Sequence, residues 1–496
     1  MRISVALGLF AVTVTASPTK FGRGECAETI ERDVAVIGGG ASGAHAAVWL
    51  RDAGYSVVVV ERAAQLGGHT NFYTDPASGT SINVGVQGWV EYNSAFDFPH
   101  RMNVSTSGAM SFTPNTVQYI DYETGHPVAG YTAPDQADMN AALQRYLDVL
   151  EQYQDLVLPG FFNFPSDPAS IPEDLLIPFG EFAEKHNLSA ALPQIWDATA
   201  QGLGDTMHVP TLWVVQACGA PFVRALLGTA ASAVPESGRL YDLYDSVAAF
   251  LGSDVLYSST VISTTRSDDG GDDDTAHPIS LKVLSATTNK HTRIHARRLL
   301  LSMEPTPANI SPFDLDDSET AILARFNYST VYAGVLRHPS LQTLNAYTNR
   351  SPEPGSLNYT VFPVAPQVGR IEYVGGTEDI FALTAVGTAE DTAEGMKRRV
   401  NEAVEAMIEA GTLPPPSDGS DDRKRTVEVD FELFADHGHM HSRVSAEELR
   451  AGFITDLYSL QGRRNTFWTG AAFSAGFSTV VWEFNKVLLP KVIEGL

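Results

Sequence analysis

The stretch that most limits what this chain can fold into is "DVAVIGGGASGAHAAVWLRDAGYSVVVVE", residues 33–61. An apolar run ends in glycine, a small-residue segment follows, and Gly54 precedes a second run that is apolar throughout. Continuously apolar short runs are strands buried on both faces, as parallel strands are. Strand, glycine turn, helix and strand within about 30 residues make a βαβ unit. Gly38, Gly40 and Gly43 stand in G-x-G-x-x-G register between the first strand and the helix. The first permits the turn, the second lets backbone approach a pyrophosphate, and the third lets helix and sheet pack closely. The helix N-terminus adds amide donors and partial positive charge. Glu61 ends the second strand, where a carboxylate accepts the hydroxyls of an adenosine ribose. The spacing predicts a dinucleotide site; the alternative is a glycine-tight turn with a surface glutamate.

Arg62 follows the acid, and then Gly67 and Gly68 in "LGGHT". A second close backbone approach fits a long, extended cofactor, FAD better than NAD, with a simple turn as the alternative. A length of 496 residues predicts two or three domains, or two interleaved ones. The net charge of −26 argues against nucleic acid and anionic membrane surfaces as partners. Two cysteines, Cys26 and Cys218, exclude a disulfide scaffold and a zinc site of several cysteines. They read as ordinary thiols, with Cys218 buried in a helix; the alternative is a single Cys26–Cys218 bridge.

Residues 1–16 have the layout of a secretory signal peptide: one basic residue, a short apolar run and small residues up to Ala16. N-x-S/T triplets at Asn103, Asn187, Asn309, Asn327, Asn349 and Asn358 agree with a secreted or luminal glycoprotein. No later run is long enough to span a bilayer, so stable membrane insertion is not expected.

Further along, residues 139–157 are amphipathic at helical spacing, and a helix-rich block with proline breaks runs to about residue 228. Residues 238–252 read as a helix leading into one strand, "DVLYSSTVIST". The acidic run 267–274 reads as a solvated hairpin tip, not a calcium loop. Residues 292–303 read as a strand, 326–388 as a sheet, 394–411 as an amphipathic helix, and 465–495 as strand, glycine turn and long helix.

These segments resemble the flavin-containing amine oxidase superfamily, and within it fungal FAD oxidoreductases of the β-cyclopiazonate dehydrogenase type. The landmarks are "VIGGGASGAHAAVWL", "LGGHT", "INVGVQGW", "SAEELRAGFITDLYSLQG" and "NTFWTGAAFSAGFSTVVW", spread over nearly the whole chain. The resemblance implies an α/β fold: a Rossmann-like FAD-binding domain of the amine oxidase and glutathione reductase kind, interleaved with an α+β substrate domain. Segments 31–90, 235–305 and 440–496 would form the first, and 91–234 and 306–439 the second. By the same resemblance Gly38, Gly40, Ala41, Ser42 and Gly43 wrap the pyrophosphate, and Glu61 and Arg62 meet the adenosine. Gly67, Gly68 and His69 lie along the ribityl chain, Gly85 and Val86 at the isoalloxazine face, and Val261 at the adenine through its backbone. Gly470 and Ala471 stand near the phosphate and ribityl groups, with Phe473 under the pyrimidine edge. Many amine oxidases carry an acid directly after that last glycine, where this chain has Ala471 and Ala472.

His69 occupies a position where amine oxidases often have arginine. Its imidazole is a candidate for a covalent 8α bond to the flavin or for a hydrogen bond to it. "DHGHMH", residues 436–441, would put three histidines on one face of a strand. No cysteine or acid set completes a metal site there, so His437 or His441 reads as a cavity lining or a plain loop residue. Trp89, Tyr92, Phe96, Trp196, Trp213, Tyr347 and Tyr359 are either an apolar substrate chamber or ordinary core.

The resemblance implies oxidation of a C–N or activated C–C bond in an apolar, alkaloid-like molecule, with hydride passing to flavin and molecular oxygen as acceptor. The competing expectations are a flavin-dependent double-bond isomerase of polyunsaturated fatty acids and a flavin-free binding protein. No general acid or base is assigned.

Overall fold

The structure, a computed structural model, describes residues 28–108, 110, 113–267, 277–351, 362–375, 380–416 and 427–496. The signal segment, Cys26, most of the acidic run 267–274, Asn358 and Tyr359 lie outside them.

The glycine turns belong to a seven-stranded sheet. Glu28–Ile37 lies at its centre, parallel to His291–Leu301 on one side and Val57–Val60 on the other. Thr466–Trp468 adds a parallel strand beside Leu299–Leu301, and Val255–Leu256 another beside Val57–Val60. The valines of 57–60 are at most 2% exposed, as an all-apolar run between two covered faces should be. The helix Ala41–Asp52 packs against the C-terminal helix Ser478–Val492, where Trp482 Nε1 donates to the Ala41 carbonyl at 3.2 Å.

One expected strand is two. Ser258 adopts φ +47 between Val255–Leu256 and Ser259–Arg266. The turn is held by Ser258 N–H to Ala63 O at 2.8 Å and Ser259 N–H to Glu61 O at 2.9 Å. Ser259–Arg266 then pairs antiparallel with Ile279–Ser285, which flanks the acidic run.

A second sheet of six strands runs in the order Asp430–Arg443, Asn327–Arg337, Ile380–Gly387, Gln367–Gly375, Asn345–Asn349 and Thr116–Ile120. All its pairings are antiparallel except the last. The helix Ala393–Glu409 covers one face, with Met396, Val400, Val404 and Met407 at helical spacing buried in one cluster with Tyr347, Ile371 and Phe381. The Asp430–Arg443 strand also touches the Thr70–Thr74 strand, the turn Ala471–Phe473 and the helices Ala200–Leu203 and Thr211–Ala217. It carries the second sheet's side chains to the glycine turns of the first.

Candidate functional site

Three adjacent parallel strands end together at Ile37, Leu301 and Trp468. The chain leaves them through Gly38 (φ +98), Ser302 and Gly470 (φ +101). Ser302 Oγ lies 2.8 Å from Ile37 O and 2.9 Å from Gly38 O, tying two of these exits together. An added Cβ on Gly43 would stand 1.9 Å from Gly38 O and 2.6 Å from Ser302 Oγ. Only glycine lets the helix start this close to the turn. Ser302 was not singled out in the sequence; the available signal was a small polar residue ending a buried parallel strand, the place where open α/β sheets bind ligands.

The second glycine pair closes on the first. A Cβ on Gly68 (φ +55) would lie 3.0 Å from Gly40 Cα, and Gly67 N–H donates to Gly39 O at 3.0 Å. Glu61, buried, accepts from Gly39 N–H at 2.6 Å and from Ala63 N–H at 2.7 Å. The carboxylate therefore bridges the two loops, and its remaining lone pairs are what a ribose hydroxyl would meet. Val261 stands two residues after the Ser259–Glu61 contact, and Arg62 is exposed.

Two of the residues named turn their side chains into the protein. The Ser42 hydroxyl points inward, 2.7 Å from Thr469 Oγ1. Thr469 donates to Asn485 Oδ1 at 2.6 Å, and Asn485 Nδ2 donates to Ser42 O at 2.9 Å and His45 Nδ1 at 3.2 Å. Ser42 thus locks the first helix to the C-terminal segment and offers a ligand only its backbone. Phe473 is 1% exposed and stacks on Trp468, ring centroids 5.7 Å apart, so a planar ligand would not lie on its ring. Ala471 is half-buried, in the turn after Gly470.

His69 meets His437 of the six-stranded sheet and Gly85, which ends the strand paired with Thr70–Thr74. Its ring stacks on that of His437 at 5.0 Å. Gly85 (φ +89) passes so close that a Cβ would stand 2.5 Å from His437 Cε1 and 2.6 Å from His69 O. Val86, half-buried, packs against the main core beside it. His437 is buried, and its Nε2 has no hydrogen-bond partner among the described residues. Burial, reinforced by Arg62, pushes the His69 imidazole down to about 4. Burial and neighbouring His69 push His437 to about 3, and burial, Arg443 and His69 push His441 to about 4. All three are neutral near pH 7, able to donate or accept a hydrogen bond. Glu304, after the Leu301 exit, accepts from Ser442 Oγ, and burial raises its carboxyl to about 7.

The three histidines of 436–441 do not share a face. Gly438 (φ +72) and His441 (φ +53) break the alternation, and His439 turns away to the Ala389 carbonyl at 3.2 Å. Among the described residues no cluster could hold a metal ion. The aromatics do not form one chamber either. Trp89 packs on Trp482, Trp213 donates to Val444 O, Tyr347 lies under the Ala393–Glu409 helix, and Trp196 stacks on Phe362. Tyr92 and Phe96 belong to the main core. Cys218 is free and buried. Asn349 is no glycan acceptor in the folded chain, because it is buried with Nδ2 donating to Val368 O at 2.8 Å.

The cradle fits an extended flavin dinucleotide on two counts. Bare glycine backbone lines it at Gly40, Gly68 and Gly85, a Cβ on Gly68 or Gly85 would crowd the facing loop or ring, and His437 presents a buried, unpartnered nitrogen beside it. Residues 36–101 match the NAD(P)-binding Rossmann-like domain model. The chain is 32% identical to the FAD-dependent oxidoreductase dpchF of Colletotrichum higginsianum, covering 92% of each chain. It is 31% identical to the β-cyclopiazonate dehydrogenase of Aspergillus oryzae over 99% of each. This chain belongs to the fungal FAD-dependent oxidoreductases. Among solved structures, the oxidoreductase superposes on the CLA-producing fatty acid isomerase of P. acnes with TM-score 0.67 and 18% identity, covering 93% and 99% of the two chains. It superposes on putrescine oxidase with TM-score 0.58 and 16% identity, covering 94% and 100%. The expected Rossmann-like, amine oxidase-like fold is therefore the observed one.

Proposed function

We propose that this oxidoreductase removes hydride from a C–N or activated C–C bond of a largely apolar small molecule, with oxidative cyclisation of an indole alkaloid-like metabolite as the preferred reaction. Bound FAD supplies the hydride acceptor. The chain's own part is to hold the diphosphate on the amides after Gly38, order the cofactor along Gly67–His69 and Gly85, and exclude water around the neutral histidines. The observation carrying this reading is the meeting of His69, Gly85 and His437 beside the three strand exits. The similarity to β-cyclopiazonate dehydrogenase supports the substrate class. Molecular oxygen is the acceptor in this proposal, and secretion through the leader at residues 1–16 is part of it.

A screen for peroxide release with indole alkaloids, apolar amines and polyunsaturated fatty acids tests the proposal. Peroxide with an alkaloid or amine supports it. Isomerised fatty acid formed without oxygen replaces it with the isomerase reading, which the likeness to the fatty acid isomerase keeps in view. The mass of the denatured protein tests His69: a retained flavin mass means a covalent bond, and an unmodified mass means a hydrogen-bonding pocket residue.

A further inference from the structure

In this acidic chain, enclosed arginines find counter-charges easily. Among the described residues, the other arginines that are not exposed each meet a carboxylate, as Arg266 meets Glu319 and Arg350 meets Asp197, except Arg298, which meets three oxygens. Arg443 has no such partner. Half-buried at the end of the Asp430–Arg443 strand, it makes one hydrogen bond among the described residues, Nη1 to His441 O at 2.9 Å. Asp205 acts on it through space, but turns its carboxylate to His208 Nδ1 at 2.8 Å. Nε and Nη2 keep their donors free.

The position of this guanidinium ties it to the flavin cradle. Burial lowers Arg443 to about 10 and His441 to about 4, yet both keep accessible surface. Groups desolvated on most sides that still have open surface line a recess, not an outer face. Two glycines leave room for them there. A Cβ on Gly202 would stand 2.2 Å from His441 Nε2, and one on Gly204 (φ +80) would stand 3.9 Å from Arg443 Nη2. His441 is neighbour to both Arg443 and the cradle's His69, each of which helps to depress it.

The chemistry of the missing partner follows from these groups. A desolvated guanidinium without a counter-charge carries an uncompensated cost, which a docked anion offsets through charge-assisted hydrogen bonds. The neighbouring imidazole is neutral near pH 7 and can donate to an anion as well. A primary ammonium would meet like charge, and a wholly apolar molecule would leave the cation unpaired. Nε and Nη2 form the side-on fork that matches a carboxylate or an ionised enol.

We propose that Arg443 docks the substrate by an anionic oxygen, a carboxylate or an ionised enol, on a molecule that is otherwise apolar. This deepens the proposed function and rests on it: the molecule oxidised carries an acidic group, held beside His441.

Two matched pairs, used on the full-length holoprotein, separate the sources of such a group: indole-3-acetate against indole-3-acetamide, and octanoate against octanamide. Calorimetry reads binding, and visible absorbance reads flavin content. In at least one pair the acid should bind about tenfold more tightly than its amide, or better. Arg443→Met should erase that preference at unchanged flavin content, and Arg443→Lys should keep part of it. Arg443→Gln repeats the test should Arg443→Met fail to fold. A preference in the indole pair supports both the docking residue and the alkaloid-like substrate. One confined to the octanoate pair supports Arg443 and moves the substrate to a fatty acid. Equal binding within both pairs, no binding of either acid by a yellow protein, or a preference that survives in a folded Arg443→Met overturns the assignment. A colourless protein that still prefers the acid overturns the flavin reading and leaves Arg443 standing.

Discussion

The His437 imidazole lies 5.0 Å from that of His69 with 25° between the ring planes, His437 coming from the six-stranded sheet and His69 from the turn before the Thr70–Thr74 strand. The backbone of Gly85 fits against both, at φ +89. An alanine there would meet the His437 ring and the His69 carbonyl at once, in a backbone conformation that L side chains resist. Gly85→Ala is expected to lower stability by about 1–3 kcal/mol and reduce retained flavin more than Gly79→Ala, a positive-φ glycine with open space around it. Thermal unfolding and visible absorbance of the two variants check this; equal flavin loss in both would remove Gly85 from the site.

Buried histidines, in this neighbourhood and at His45 on the first helix, set a pH dependence. His45 and His437 are depressed to about 3, and His69 and His441 to about 4, mainly by burial, from an ordinary 6.5. Their contribution to stability is fully present above about pH 6.5 and is lost as pH falls toward 4, because the unfolded chain takes up protons that the folded chain refuses. Glu304 has the opposite sign. Burial raises it from 4.5 to about 7, so its contribution is present below about 4.5 and lost as pH rises through about 7. Urea midpoints of flavin-depleted protein should therefore fall on the acid side. Glu304→Gln should be more stable than the parent at about pH 8 and little changed at about pH 4. A variant weaker than its parent at the higher pH would refute the assignment.

Local spacing made the first βαβ unit readable: Gly38, Gly40, Gly43 and the valines of 57–60 lie within one short segment and show their pattern there, although Ser302 and Gly68, which close on the glycines, lie outside it. The Thr116–Ile120 strand was not readable, because its partner Asn345–Asn349 lies more than 200 residues away and its own residues show no period. His437 and His441 were visible as residues but not as neighbours of His69. Strand alternation predicts one shared face, and the positive φ at Gly438 and His441 undoes it. Ser42 was read from its place in the glycine motif, yet its hydroxyl serves Thr469, a partner 427 residues along the chain.

That inward turn of Ser42 gives a further expectation. Asn485 accepts from Thr469 and donates to Ser42 O and His45 Nδ1, all within a buried network. Asn485→Leu leaves the Thr469 hydroxyl and two acceptors without that partner, at a cost on the order of 3 kcal/mol. Flavin affinity should fall with it, because the network joins the first helix to the segment containing Gly470. Unchanged flavin affinity in a destabilised variant would show that the joint serves only the core.

A second joint makes a contrasting prediction. Arg266 and Glu319, both 0% exposed at the side chain, pair at 2.8 Å. Arg266 also reaches Asp314 at 2.9 Å and Thr466 Oγ1 at 3.0 Å, so the charge is held by several groups at the far end of the short Thr466–Trp468 strand from Gly470. Glu319→Leu removes the most deeply buried partner and leaves the guanidinium undercompensated, an expected loss of about 3–5 kcal/mol. Adding Arg266→Met removes the orphaned charge as well, and the double variant should recover much of that loss, since two apolar residues can replace a buried pair at little net cost. Chemical denaturation of the single and double variants measures the coupling. Equal, additive losses would mean that the pair contributes through packing alone, whereas recovery in the double variant with flavin content intact would separate this structural ion pair from the cradle it supports.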